Sequence, residues 1–348
     1  MGSKYIFSPK NSNLRHCSEL FYQVLKTQEN DQLAINYVHN VTLITSWSLI
    51  KKLTTSKPDE ILSIFFLAIQ FDYLALTFLL KLISKILLKD LKVYYLMHEP
   101  RLEKGRVNFI KAFSIYTYHV IFSSLADKIL LPSDEAVVQA KTFIKEQKIC
   151  KVNLAFNSIS QGTLKKDLEQ LKCCWEICKT FSMIATVSSQ DKNPWGFLYL
   201  ASTFNQYYPQ KARFIRAGLD QGIHVNYDEN MIIRFPSYLS NSAKSFLLGM
   251  THFIVVPYSF STQSGVITEA LSYGKLLILN DIPAFSYLKN SSFAFIVDFN
   301  NKDSILKCAT DLFSMDFNDY ENRYWEAVNY FHVNHSESYL ARTLSNIL

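Results

Sequence analysis

The stretch from Phe253 to Asp281, FIVVPYSFSTQSGVITEALSYGKLLILND, constrains this chain most tightly. Phe253–Val256 is a short apolar run closed by Pro257, with the length and composition of a buried strand. A small polar loop, residues 258–264, follows. A helix is expected from Gly265 through Ala270 and Leu271, stopping at Gly274 as its C-cap. Leu276–Leu279 is a second apolar strand, ending at Asn280 and Asp281. Strand, helix and strand in so few residues demand a right-handed parallel unit. In such a unit the loop after the first strand opens on a helix N-terminus, whose free N–H groups and dipole favour an anion. Ser264 and Gly265 stand at that point, and glycine lets a phosphate approach the backbone. Glu269 lies one turn further along the same helix face. In direct contact it would repel a phosphate, but one turn away it can accept hydrogen bonds from a ribose. The residues suit a nucleotide diphosphate. An ordinary buried unit with a capped helix would use the same strand and helix pattern.

Strand and helix alternate along the whole chain. In the first half, strands are expected at Lys4–Ser8, Gln32–Val38, Ile61–Leu67, Val93–Met97, Lys128–Leu131 and Lys151–Ala155. Helices are expected near Ser18–Lys26, Thr42–Leu53, Tyr73–Leu88, Val107–Leu125 and Asp134–Ile144, the last N-capped by Ser133. After a charged helical connection, Gly162–Lys179, the pattern restarts with strands at Phe181–Val187, Arg213–Ala217 and Met231–Phe235, helices at Gly196–Gln206 and Ser240–Leu248, and the stretch above. Ala294–Val297 is the last strand, and helices at Asp303–Phe313, Tyr320–Tyr330 and Ser336–Leu348 end the chain. Such alternation means parallel sheets covered on both faces. The fold class is α/β, with two Rossmann-like parallel-sheet domains. The expected boundaries are 1–160 for an acceptor-side domain, 161–330 for a nucleotide-sugar domain, and a C-terminal helix, 331–348, returning to the first.

Charge is uneven. Residues 1–155 hold 20 Lys and Arg against 13 Asp and Glu, a surplus of +7, and the remainder holds 16 against 17. No basic helix with interleaved aromatics and no zinc spacing accompanies this surplus, so nucleic acid is not expected as a partner. An anionic membrane surface is the other taker. Ile61–Leu88 is very apolar but is interrupted by Gln70, Asp72, Lys81 and Lys85, so no clean span survives. Lys81, Lys85 and Lys89, spaced by four, are expected to line one wet face of the helix. The six cysteines fit no zinc pattern and no signal peptide precedes them, so reduced thiols are expected.

The segment SxxSGVITEALSYGK resembles the donor-binding segment of family 4 glycosyltransferases, retaining enzymes of the GT-B fold. In that family a loop enters a helix whose Glu binds the donor ribose, and a Gly-Lys turn leads to the next strand; Glu269, Gly274 and Lys275 match by position. The family usually carries a second Glu eight residues earlier, where this chain has Ser261. The resemblance places Ser261, Gln263, Ser264 and Gly265 around the donor. It expects Arg and Lys on the donor pyrophosphate after the first strand of the second domain. Lys192 matches the Lys, and Ser188 or Ser189 stands where the Arg would be. It makes His98, at the end of a first-domain strand, the group that meets the transferred sugar, with Glu99 beside it for the acceptor. Gly218 would pass close to the nucleotide, and Phe235 and Tyr238 would lie near the base.

The resemblance therefore implies a retaining glycosyltransferase with a nucleotide-diphosphate sugar as substrate, no cofactor and no metal. The implied acceptor is a growing surface glycan, lipid-linked in one version. The expected location is the cytoplasm or the inner face of the cell membrane; it is the basic surplus of the first half and the lysine-bearing helix Tyr73–Leu88, not the resemblance, that lead to an expected reversible, salt-sensitive docking of the first domain. Two alternatives stay open: a catalytically weak nucleotide-sugar-binding subunit, suggested by Ser261 and the lost Arg, and a nucleotide-sugar epimerase of similar fold.

Overall fold

The computed structural model of the protein describes residues 3–7, 15–28, 35–38, 43–56, 60–67, 71–98, 100, 109–187, 190–221 and 225–347. Glu99, Ser188 and Ser189, all expected at the site, lie outside the described residues. The chain divides into two compact units, residues 1–156 with 337–348, and residues 157–336.

The first unit is built on six parallel strands: β1 (Ser3–Phe7), β2 (Ile35–Val38), β3 (Leu62–Phe66), β4 (Leu91–Leu96), β5 (Lys128–Leu131) and β6 (Ile149–Lys151), in the order β2-β1-β3-β4-β5-β6. Its helices are α1 (Arg15–Gln28), α2 (Leu43–Thr55), α3 (Phe71–Leu87), α4 (Phe109–Leu125) and α5 (Asp134–Ala140). β3 reads LSIFF and is buried throughout, as a strand covered on both faces must be. One core gathers Leu49 and Leu53 of α2, Tyr73, Leu76 and Leu80 of α3, Tyr118 and Phe122 of α4, and Ala136 and Ala140 of α5. On the other face Leu20, Val24 and Leu25 of α1 pack with Leu340 and Leu344 of the C-terminal helix.

Several boundaries differ from the sequence expectation. α5 stops at Ala140 rather than Ile144, and Thr142 Oγ1 then bonds the Gln139 carbonyl. β6 begins at Ile149, because its register against β5 pairs Ile129 with Ile149. The basic stripe of α3 is corrected most. Lys81 Nζ lies 2.6 Å from Asp127 Oδ2 and also donates to the Leu91 carbonyl, while Lys89 donates to the Ser56 carbonyl. Two of the three lysines thus bind the unit together instead of facing water; Lys85 alone of the three is exposed. No described helix is long and apolar enough to cross a membrane.

The second unit starts with α6 (Gln161–Trp175), an integral helix rather than a connection: Leu164, Leu168, Leu171 and Trp175 are buried. There follow β7 (Lys179–Ile184), α7 (Pro194–Tyr207), β8 (Ala212–Ala217), β9 (Ile232–Phe235), α8 (Asn241–Gly249), β10 (Phe253–Val256), α9 (Gly265–Ser272), β11 (Leu276–Asn280), β12 (Ala294–Val297), α10 (Lys302–Ser314) and α11 (Phe317–Asn334). The C-terminal helix of the first unit, α12 (Glu337–Ile347), comes last. The parallel strands run β12-β11-β10-β7-β8-β9. Chain order reverses between β7 and β10, and the carboxyl ends of strands at such a switch point form the crevice where α/β sheets bind ligands. Stacked Phe181, Phe214 and Phe253 on β7, β8 and β10 pin these strands together, with ring centroids 5.3 and 4.9 Å apart.

Candidate nucleotide-binding site

The loops after β7 and β10 meet at the switch point. Asn193 does much of the joining. It has left-handed backbone (φ 46°), caps α7 by accepting from the Gly196 N–H, and donates from Nδ2 to the Pro257 carbonyl at 3.0 Å. The Ser259 N–H donates to the Asp191 carbonyl at 2.8 Å. Lys192, at the end of the short helical turn Gln190–Lys192, is thereby held with its Nζ 3.9 Å from the centroid of the Tyr258 ring.

Tyr258 is the floor of this arrangement. It is buried, its carbonyl accepts from Asn280 Nδ2 at 2.8 Å, and its phenol is hydrogen-bonded to Ser264. Burial pushes the phenol up to about 12, against the Ser264 hydrogen bond and the nearby Arg216 charge. Ser264 is the N-cap residue of α9 in extended backbone (φ −136°, ψ 111°), yet its side chain caps no N–H of that helix. Its hydroxyl is directed to Tyr258, so the ring that carries Lys192 also touches the residue that opens α9, whose first turn has backbone N–H groups without helical partners. A cation on an aromatic face next to a helix N-terminus is a setting for a diphosphate.

The other expected residues fall in varied places. Ser261 donates to the Gln263 carbonyl at 2.6 Å, closing the turn that leads into α9; Ser261, Gln263 and Gly265 are half-buried. Glu269 Oε1 lies 2.8 Å from Lys244 Nζ of α8, and its second oxygen bonds nothing among the described residues. Lys244 was not anticipated from sequence; an α8 residue meets an α9 residue only through the fold. Lys275, expected in the family turn, is fully buried, donates to the Gly249 carbonyl at 3.4 Å, and is lowered to about 7 by burial.

Gly218 takes φ +114°, and its N–H donates to the Phe235 carbonyl at 3.0 Å. A Cβ there would collide with the Ala185 carbonyl oxygen, so this glycine's close neighbour is the backbone after β7. Phe235 lines a mostly apolar cavity of about 500 Å³ between α6, α8 and the sheet, with Ile233, Phe246 and Met250, rather than the loops around Lys192. Tyr238 is highly exposed. His98, in the first unit, is half-buried, and burial lowers its imidazole to about 4, so it is neutral at physiological pH.

A cluster that sequence reading passed over lies where β8 ends. Arg216 is buried and bonds Asp220 at 2.6 Å and the Tyr227 hydroxyl at 3.2 Å. Arg234 of β9 shares Asp220 at 3.3 Å and stacks on the Tyr227 ring. Two guanidinium groups against one carboxylate leave a net positive charge on this part of the unit.

No protein-family model and no curated protein sequence matches this chain. Solved structures do. HepE from Anabaena in complex with UDP superposes with a TM-score of 0.68 at 10% identity, over 100% of this chain and 99% of that one. Sucrose-phosphate synthase from Thermosynechococcus elongatus gives 0.65 at 10% identity, over 100% and 98%. A trehalose-6-phosphate synthase, studied for glycosyl transfer with retention, gives 0.65 at 11% identity, over 99% and 98%. The protein therefore has the two-domain Rossmann-like fold of the GT-B glycosyltransferases.

Proposed function

We propose that this protein is a retaining glycosyltransferase, taking a sugar from a nucleotide-diphosphate donor to a surface-glycan acceptor carried on lipid. The observation that carries this reading is Lys192 seated over Tyr258, beside the start of α9 and at the sheet's switch point. The fold likeness to proteins solved with UDP and UDP-glucose supports a uridine nucleotide as the first donor to try. The likeness of the α9 segment to family 4 supports a place near that family.

In this reading the acceptor hydroxyl attacks the anomeric carbon on the face the diphosphate leaves. The carbon–oxygen bond to the diphosphate breaks, and the departing phosphate takes the acceptor proton. Lys192 and the α9 N–H groups offset the charge that grows on the leaving group, without a metal. Glu269 offers Oε2 to the ribose while Lys244 holds Oε1. The family resemblance assigns neutral His98 to a hydroxyl of the transferred sugar. Calorimetry with UDP, ADP and GDP, followed by a donor-hydrolysis and transfer assay, tests the assignment. Absence of binding to any nucleoside diphosphate would overturn it.

One observation favours a second reading. Glu269 already has a cationic partner and Ser261 stands where the family has Glu, an arrangement suited to a subunit that binds nucleotide sugar without turning it over. Tight donor binding with no transfer and no isomerisation of the donor would select it.

A further inference from the structure

Among the described residues of the first unit, the outward sides of α2, α3 and α4 carry many large exposed apolar side chains. The core groupings put α2, α3, α4 and α5 on one face of the sheet, so their outward sides form one layer. On α3, Tyr73, Leu76 and Leu80 point to the sheet. Phe78, Leu82 and Ile86, spaced by four, point away, with Phe78 61% and Ile86 69% exposed. On α4, Tyr118 and Phe122 are buried while Ile110 (75% exposed), Phe113 and Ile121 face out. Trp47 of α2 is 69% exposed. Scattered apolar residues are ordinary on a surface, but matching stripes on neighbouring helices mark an interaction face.

We propose that this α2–α4 face docks on an anionic lipid bilayer, with the helices lying flat in the interface. Charge selects this occupant. The first unit carries all of the basic surplus, +7 over residues 1–155, with the C-terminal helix adding one Arg and one Glu. Lys51 and Lys85 are exposed on the same helices as the apolar residues. A second copy on this face would bring two like-charged units together, which opposes association. Anionic headgroups attract the lysines while the acyl boundary takes Phe78, Leu82, Ile86 and Ile110. Trp47 and Tyr116, with an apolar body and a polar tip, suit the headgroup level. The docking face is thus the apolar side of α3, not the lysine stripe, two of whose members are tied inward.

The inference goes beyond the transfer reaction and does not need it, since vesicle binding requires neither donor nor acceptor. The test is co-sedimentation of the full chain with phosphatidylcholine vesicles with and without phosphatidylglycerol, at low and high salt. Wild type should bind the anionic vesicles and release as salt rises. Phe78→Ser, Leu82→Ser and Ile86→Ser together should weaken binding by roughly tenfold or more, through lost apolar burial. Lys85→Glu should weaken binding to anionic vesicles only. Melting temperature and UDP affinity should stay at wild-type values in both variants, so a failure here is separable from a failure of the donor assignment. The proposal is overturned if wild type ignores anionic vesicles at low salt, or if the triple variant binds them unchanged. It is equally overturned if light scattering shows a dimer that the triple variant dissolves.

Discussion

Lys192 Nζ lies 3.9 Å from the centre of the Tyr258 ring, so an aromatic face fixes where the ammonium sits. That matters for chemistry. A ring attracts the cation through its quadrupole and positions it without adding a charge of its own. Lys192→Ala should therefore lower turnover at saturating donor by about 10²–10³, the scale seen when one charge-stabilising donor is removed. The donor KM should move much less, because the interaction strengthens as the bond breaks. Steady-state kinetics with varied donor checks this, and a normal rate at saturation would show the lysine to be a loop residue only.

Glu269 and Lys244 invite a paired experiment. Their ion pair is 2.8 Å long and its side chains are 20% and 25% exposed, so it contributes little to stability once solvent screening is allowed for. Glu269→Ala should cost about 1.5–3 kcal/mol of nucleotide affinity if ribose hydroxyls use its free oxygen. Lys244→Ala should cost less, since the carboxylate survives but is no longer fixed. Titration calorimetry with UDP measures both. Equal and negligible losses would make the pair a helix-to-helix tie between α8 and α9 and nothing more.

How far the residues announced this arrangement depends on the kind of interaction. β10, α9 and β11 were legible because burial on both faces forces continuous apolar runs, and Gly274 needs positive φ at the helix end. Lys192 stands out by its match to the family's Lys and its place after a strand end, whereas the Tyr258 ring beneath it comes from another loop and shows only in the fold. The partner of Glu269 was not legible, since Lys244 lies on a separate helix and only the packing of α8 against α9 joins them. Lys81 and Lys89 misled for the same reason: spacing by four says which residues share a helix face, not whether Asp127 or the Ser56 carbonyl waits beside it. The resemblance puts Phe235 near the base, and strand alternation turns it with Ile233 toward the cavity under α8, a neighbour that position in the sequence does not announce. The Arg216–Asp220–Arg234 cluster joins residues of two strands through their register, in which Arg216 faces Arg234.

Two glycines should prove intolerant for different reasons. Gly218 sits at φ +114° against the Ala185 carbonyl, and that neighbour is backbone and cannot swing aside. Gly274 sits at φ +66° with a notional Cβ 2.6 Å from the Tyr324 ring, which packs α11 onto the end of α9. Gly218→Ala should destabilise by about 2 kcal/mol or more, combining strain with a backbone clash. Gly274→Ala should cost less, as the left-handed region admits alanine at about 1–2 kcal/mol and a ring can shift. Urea midpoints of the two variants give the ranking, and the reverse order would mean that the Tyr324 contact dominates.

Acid should weaken the fold through His252. This ring is buried between β7 and α6; its Nδ1 accepts from the Thr180 N–H at 3.0 Å, so Nε2 carries the proton and donates to the Leu171 carbonyl at 3.2 Å. Burial lowers its imidazole from 6.5 to about 3, Lys275 and Lys179 push the same way, and the bond to Leu171 opposes them. Between those values the unfolded chain binds a proton that the native state refuses. Stability therefore rises with pH across that window, is complete above about 6.5, and is lost as pH falls. Each such histidine contributes up to about 1.4 kcal/mol per pH unit within its window. His98, lowered to about 4, acts with the same sign. His252→Gln should cost about 1–3 kcal/mol at pH 7, because one of the two backbone partners is left unbonded. It should also flatten the loss of stability on going from pH 6.5 to 4.5. Urea unfolding at a series of pH values measures both quantities. If the variant and the wild type lose stability in parallel over that range, carboxylates and not His252 set the acid limit.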